Sequence, residues 1–113
     1  MIEEYRFGSI TISGKTYDYD IEVRWTGEVL SWRRQESHVI NIEDVKRAIK
    51  ESPEIIIIGT GESAMAKVLE KAKEEILSKE IGLIIEKTER AINNFNEEKN
   101  KDRKVIGLFH LTC

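Results

Sequence analysis

Residues 8 to 23, GSITISGKTYDYDIEV, alternate apolar and polar positions, which is the pattern of a half-buried strand pair. Ile10 and Ile12 fall on one face, Ser13-Gly14-Lys15 supplies a glycine-containing turn, and Tyr17, Tyr19, Ile21 and Val23 alternate again. The spacing predicts a β-hairpin with Asp18, Asp20 and Glu22 on its other face. Residues 24 to 40 show no period, although Trp25, Trp32, Arg33, Arg34 and His38 lie in them. Asn41 then reads as the N-cap of a helix whose inward positions are Ile42, Val45 and Ile49. Asp44 sits at its N3 position, where a carboxylate complements the helix dipole, and Pro53 closes it.

From Glu54 the pattern changes. EIIIIG is a continuous apolar run of branched residues, expected of a strand buried on both faces. Met65, Val68, Leu69, Ala72 and Ile76 recur at helical spacing, predicting a helix that starts directly after the glycines. Gly82 ends the connection, and the run LIIE is a second short buried strand, completing a right-handed βαβ unit with parallel strands. Thr88 is positioned to cap a third helix carrying Ala91, Ile92 and Phe95 inward, and VIGLFHLTC is a last strand, apolar on both faces until His110. The whole reads as a single α/β domain over residues 1–113 with a β-hairpin leading in.

Composition narrows the setting. The chain has 113 residues, 40% hydrophobic and 35% charged, the latter above the roughly 25% usual for soluble proteins. Such a surplus is what ion-pair networks of heat-adapted proteins use, and a thermophilic source is one expectation from it. The net charge of −3 argues against nucleic acid as a partner, because phosphate binding needs a basic field. No apolar run approaches the roughly 18 residues of a membrane span, so no membrane partner is expected. The acidic start MIEEYRFGS lacks a signal-peptide core, and Cys113, the lone cysteine, fits a reducing compartment. These features together point to the cytoplasm.

The stretch IIIIGTGESAMAK holds the first candidate for chemistry. Gly59, Gly61 and Ala64 form G-x-G-x-x-A, a permitted form of the dinucleotide fingerprint. Glu86 lies 22 residues after Ala64, near the position of a ribose-binding acid, about 20 residues on. Against this, a hairpin and a helix precede the motif, and the chain has no room for a second nucleotide-binding half. Glu62 would also stand where a phosphate should sit. No Gly-Lys-Ser/Thr follows, so a P-loop is excluded. A tight strand-to-helix turn is therefore favoured over an anion site, and an anion site over a dinucleotide site.

His38, His110 and Cys113 would make a metal or Cys–His site only if they converged, and the sequence gives no sign of that. His110 and Cys113 are three apart on a strand and face opposite ways. No metal, cofactor or catalytic residue is assigned. In SWRRQESH, Trp32 with Arg33 or Arg34 either lines a partner surface, where such residues are enriched, or covers a core edge beside solvated arginines.

The runs FGSITISGKTYDYDIEV, SWRRQESHVINIEDV, IIIIGTGES and GLFHLTC, in this order, resemble the adipogenesis-associated domain family. That family also includes a mitochondrial complex I assembly factor and many archaeal and bacterial proteins. The likeness spans nearly the whole chain, and its ending, His110-Leu111-Thr112-Cys113, is more specific than the glycine turn. It implies a three-layer α/β sandwich with a central mixed sheet and an added N-terminal β-hairpin. It implies no established reaction. The eukaryotic relatives look like assembly or regulatory proteins acting through protein contacts, most prokaryotic ones have no assigned role, and no residue has an agreed catalytic role.

Two functional readings follow. The first is a non-enzymatic domain binding a protein partner or small ligand. The alternative is a small nucleotide- or anion-binding enzyme using the Gly59-Thr60-Gly61 turn. The candidate contact residues are Trp32, Arg33, His38, Gly59, Thr60, Gly61, Ser63 and His110. An exposed sheet edge would in addition allow pairing into a homo-oligomer.

Overall fold

Two runs of alternating large apolar side chains organise the molecule from its centre. In the computed structural model, which describes residues 2–113, these are β7 (Ile55–Gly59) and β10 (Val105–Phe109), every residue of both buried. They pair in parallel, Val105 opposite Ile55. Ile55, Ile57, Val105 and Phe109 point into one core, and Ile56, Ile58, Ile106 and Leu108 into another. A sheet with two apolar faces must be covered twice.

The rest of the chain supplies the covers. Along the N-terminal part run β1 (Ile2–Arg6), β2 (Ser9–Ile12), β3 (Lys15–Tyr17), β4 (Ile21–Arg24), β5 (Val29–Ser31) and β6 (Val39–Ile40), followed by α1 (Ile42–Lys50). After β7 come β8 (Lys67–Val68), α2 (Glu70–Ser78), β9 (Gly82–Glu86) and α3 (Thr88–Asn100). The central sheet has the order β5-β4-β10-β7-β9, with β4 antiparallel to β10 and β9 parallel to β7. Helix α3 and the three-stranded sheet β1-β2-β3 cover one face; α1 and α2 cover the other. This is the three-layer mixed α/β arrangement expected. Among the described residues no helix is long and apolar enough to cross a membrane.

Local chemistry accounts for several elements. Asn41 accepts from the Glu43 amide (2.9 Å) while Asp44 accepts from the Asn41 amide (2.8 Å), so α1 starts on reciprocal caps at its expected boundary. Val45 and Ala48 are its buried positions. Ala91, Ile92 and Phe95 of α3 are buried as expected, and Phe95 meets Phe109 edge to face at 6.0 Å.

Four expectations need correction. The 8–23 hairpin ends at Tyr17: β2 and β3 do pair across Ser13-Gly14, but the chain then crosses to the central sheet, where Ile21 opens β4 against Phe109. Alternation persists through the crossing because both sheets have period two. Glu22 consequently faces the α1 layer rather than solvent, 1% exposed and held by Arg24 (2.8 Å) and Arg47 (3.0 Å). The aperiodic 24–40 segment contains two short strands, β5 and β6. No helix follows the glycines: Met65 is exposed, Val68 belongs to β8 beside Ile40, and α2 begins at Glu70. Finally, α3 takes Lys87 as its N-cap, and the Thr88 hydroxyl is used elsewhere.

Candidate functional site

Because β7 and β10 run parallel, Gly59 and Phe109 stand side by side, and whatever follows each strand meets at one end of the sheet. The β5 end lies there too, since Ser31 opposes Ile21 and Ile21 opposes Phe109. In open α/β sheets this end carries the ligand sites.

The glycine turn is packed against main chain. A Cβ on Gly59 would lie 2.9 Å from Thr88 Oγ1 and 3.0 Å from Phe109 Cδ1. Gly61 has φ of 105°, and a Cβ there would run into the main chain of Thr112 and Cys113. Most of the turn's amides are committed. Thr60 donates to Glu86 O (2.9 Å), Glu62 to Thr112 O (2.7 Å), Met65 to Cys113 O (2.9 Å) and Ala66 to Thr60 O (3.1 Å). Gly61 N–H donates to Thr88 Oγ1 (2.8 Å), whose own proton goes to His110 O (2.6 Å). A phosphate-binding turn keeps such amides free and opens a helix; this one does neither. Ser63, like Glu62, is exposed. Glu86, the ribose-binding candidate, pairs with Arg90 (3.2 Å) and accepts from Asn94 Nδ2 (3.2 Å).

A second cluster lies beside it. His110 Nδ1 is 2.7 Å from Asp20 Oδ2, and the Leu111 amide donates to Asp20 Oδ1 at 2.8 Å. A carboxylate oxygen that close assigns the ring proton to Nδ1. Arg34 reaches the same carboxylate, Nη1 to Oδ2 at 2.9 Å, and donates from Nη2 to Ser37 O at 2.7 Å. Its Nη2 also sits 3.1 Å from His110 Nδ1, a contact between two donors once that nitrogen is protonated. The guanidinium stacks on the Trp32 ring at 4.3 Å, and Arg34 Nε is buried with no partner among the described residues. Burial pushes the Asp20 carboxyl up. The hydrogen bonds from His110 and Leu111, with the charges of His110 and Arg34, outweigh it and hold Asp20 below its ordinary value.

With Nδ1 protonated, His110 Nε2 is left as an acceptor, 3.4 Å from Thr112 Oγ1. Such an Asp–His pair is half of a proton relay. The ring is only 2% exposed, however, so Nε2 faces Thr112 rather than solvent.

Of the residues singled out in the sequence, the structure gathers His38 and His110, whose rings meet edge on at 5.8 Å, His38 being exposed. Trp32 is 4% exposed and its indole N–H donates to Asp44 O at 2.9 Å, so it covers a core edge. Arg33 is exposed. It borders a pocket of about 410 Å³ with Leu30, Glu43 and Arg47, and another of about 520 Å³ with Tyr19, Asp20 and Ser31. Cys113 is exposed, and no group of three or more metal-ligating side chains forms among the described residues. Sequence reasoning missed Asp20, took Thr88 for a helix cap, and offered Arg34 only as the alternative to Arg33, either at a partner surface or solvated; its side chain is 3% exposed, not solvated.

Comparison with known proteins agrees with this architecture. The chain overlays a conserved hypothetical protein from Pyrococcus horikoshii OT3 with a TM-score of 0.90 and 27% identity, covering 100% of this chain and 99% of that one. A protein called MT938 matches with a TM-score of 0.85 and 31% identity, covering 100% and 98%. A Bordetella parapertussis protein at 20% identity, with a TM-score of 0.84 over 97% and 93% of the two chains, shares the fold. A family model matches residues 2–110, and the chain belongs to that family, proteins of unknown function DUF498/DUF598.

Proposed function

We propose that this protein is a non-enzymatic binding domain whose partner, a protein surface, docks at the Tyr19–Arg33–His38 end of the sheet. One observation carries the reading. Tyr19 (48% exposed) and Arg33 rim a pocket of about 520 Å³ floored by Asp20, above the buried scaffold of Asp20, Arg34 and His110. A rigid base bearing exposed Tyr and Arg is what protein interfaces favour. The resemblance of SWRRQESH and the His110–Cys113 ending to the adipogenesis-associated domain family, with its assembly proteins, supports the same reading.

Trp32 is unsuited to testing it, since its removal would open the core. Arg33→Glu and Tyr19→Ala are suited: partners cross-linked to the wild type in its own cells should be lost from both variants at unchanged melting temperature. Recovery of the same partners at the same yield by both variants would end the proposal.

A second reading has its own support. Lys67, Lys73 and Lys87, against the single carboxylate of Glu86, line a pocket of about 380 Å³ beside Thr60, a recess of net positive charge that suits a small anion or nucleotide. In a thermal-shift screen, a ligand at 100 times its dissociation constant adds about 2.7 kcal/mol. A shift with phosphate or nucleotide, lost in Lys67→Ala, would move the function there.

A further inference from the structure

The central sheet ends on one side at β9, and this edge is unlike the others. β5 has its Ser31 carbonyl covered by Arg47 Nη2 at 2.7 Å. β1 carries Glu3, Glu4 and Arg6, breaks register near Ile2, and has both main-chain groups of Ile2 bonded by Asn96. β3 is short and begins with Lys15. These are the usual guards of a strand edge. Residues Leu83, Ile84 and Ile85 of β9 have no charge, bulge or proline, and all are half-buried.

The hydrogen-bonding phase of β9 is fixed. The Gly82 amide donates to Glu54 O (3.0 Å) and Thr60 N–H to Glu86 O (2.9 Å), so Gly82, Ile84 and Glu86 turn their main-chain groups to β7. Those of Leu83 and Ile85 therefore face outward, and nothing among the described residues bonds them. Helix α2 lies over this edge. Lys73 shares a pocket with Ile85, Glu86 and Lys87, whereas Lys79 shares one with Ile49, Lys50 and Pro53 on the α1 side. The flank of α2 bearing Lys73 and Leu77, continued by the N-cap residue Leu69, is thus turned to the edge, and Leu69 and Leu77 are 44% and 57% exposed.

We infer that β9 pairs antiparallel with β9 of a second copy of this chain about a two-fold axis through Ile84, joining two sheets into one. The strand is self-complementary in that register. Leu83 of each copy meets Ile85 of the other as a pair exchanging both main-chain bonds, and Ile84 meets its counterpart as the pair between. A two-fold axis normal to the sheet sets the two α2 helices side by side, which covers Leu69 and Leu77. It also brings the Lys87 end of each strand to the Glu80 end of the other. This edge lies across the sheet from the Tyr19–Arg33 surface, so the pairing does not rest on the function proposed there.

The test uses light scattering over a concentration series, followed by cross-linking. The wild type should reach dimer mass with increasing concentration, and Ile84→Lys, which sets two like charges face to face, should stay monomeric with an unchanged circular dichroism spectrum. Should that variant fail to fold, cysteines decide. In a Cys113→Ser background, Ile84→Cys should form a disulfide-linked dimer about tenfold faster than Leu83→Cys, because counterparts at 84 sit about 4.5 Å apart and those at 83 lie beyond disulfide reach. A chain that is monomeric up to about 1 mM, or a dimer in which the two cysteines link at equal rates or not at all, would overturn the pairing.

Discussion

The glycine turn and the loop after β5 stand at the same end of the sheet and are built on opposite principles. In the turn, main chain bonds main chain: the amides of Thr60, Glu62, Met65 and Ala66 all end on carbonyls of the same domain. In the loop, side chains do the bonding: Asp20, Arg34 and His110 hold one another, and one buried donor, Arg34 Nε, is left over. Glycines suggest a site because backbone can approach a ligand there; here the space is filled by the chain's own Thr112 and Cys113. The lesson is that a glycine motif reports a close approach and does not say of what. The segment from His110 to Cys113 serves both regions, its Leu111 amide on Asp20 and its Thr112 carbonyl on Glu62.

The contrast can be broken most forcefully at Gly61→Val. A branched side chain at a φ of 105° against Thr112 and Cys113 should cost roughly 4 kcal/mol, read in urea denaturation. A loss below about 1 kcal/mol would mean that the turn is slack and open to a ligand after all. Next is Asp20→Asn, expected to cost about 2 kcal/mol because it leaves the Arg34 guanidinium without its counter-charge and His110 Nδ1 without its carboxylate partner in a partly exposed site. The same variant tests pH. Asp20 has its folded value depressed, so its contribution is full above the ordinary carboxylate range and is lost as pH falls through the folded value. The wild type should show this acid loss, and Asp20→Asn should flatten it.

Smallest is Tyr5→Phe, which removes the hydroxyl bond to Leu111 O (3.0 Å) at about 1 kcal/mol. Burial, followed by Glu62, Glu89 and Asp20, pushes the Tyr5 phenol up to about 12. The unfolded chain ionises first, at about 10, so stability should fall from there to about 12. Tyr5→Phe should abolish that alkaline slope. A slope that survives the substitution would assign it to another group.

Most of the architecture was legible because its strongest signals are local. Continuous isoleucines mark β7, Asn41 and Asp44 mark the start of α1, and Ala91, Ile92 and Phe95 mark α3. β6 and β8 were illegible, since strands of two residues carry no period. Met65 and Val68 fell into helical phase with Ala72 and Ile76 by coincidence, the true helix starting only at Glu70. The site was harder still. Asp20 looked like one more outward acid in Tyr-Asp-Tyr-Asp, and its partners His110 and Leu111 lie 90 and 91 residues away. No local pattern encodes a contact of that span.

The position of β10 bears on how the chain reaches this structure. It is the middle strand of its sheet, yet it follows every other element in chain order, and its partner β4 lies at Ile21–Arg24. The β7–α2–β9 unit can close locally, but the sheet acquires its centre only when that long loop closes against its entropy. Folding should accordingly be slow for a domain of this length. Until β10 docks, the isoleucines of β7 and the edge of β4 stand open to other chains, so the interval before docking is when aggregation competes.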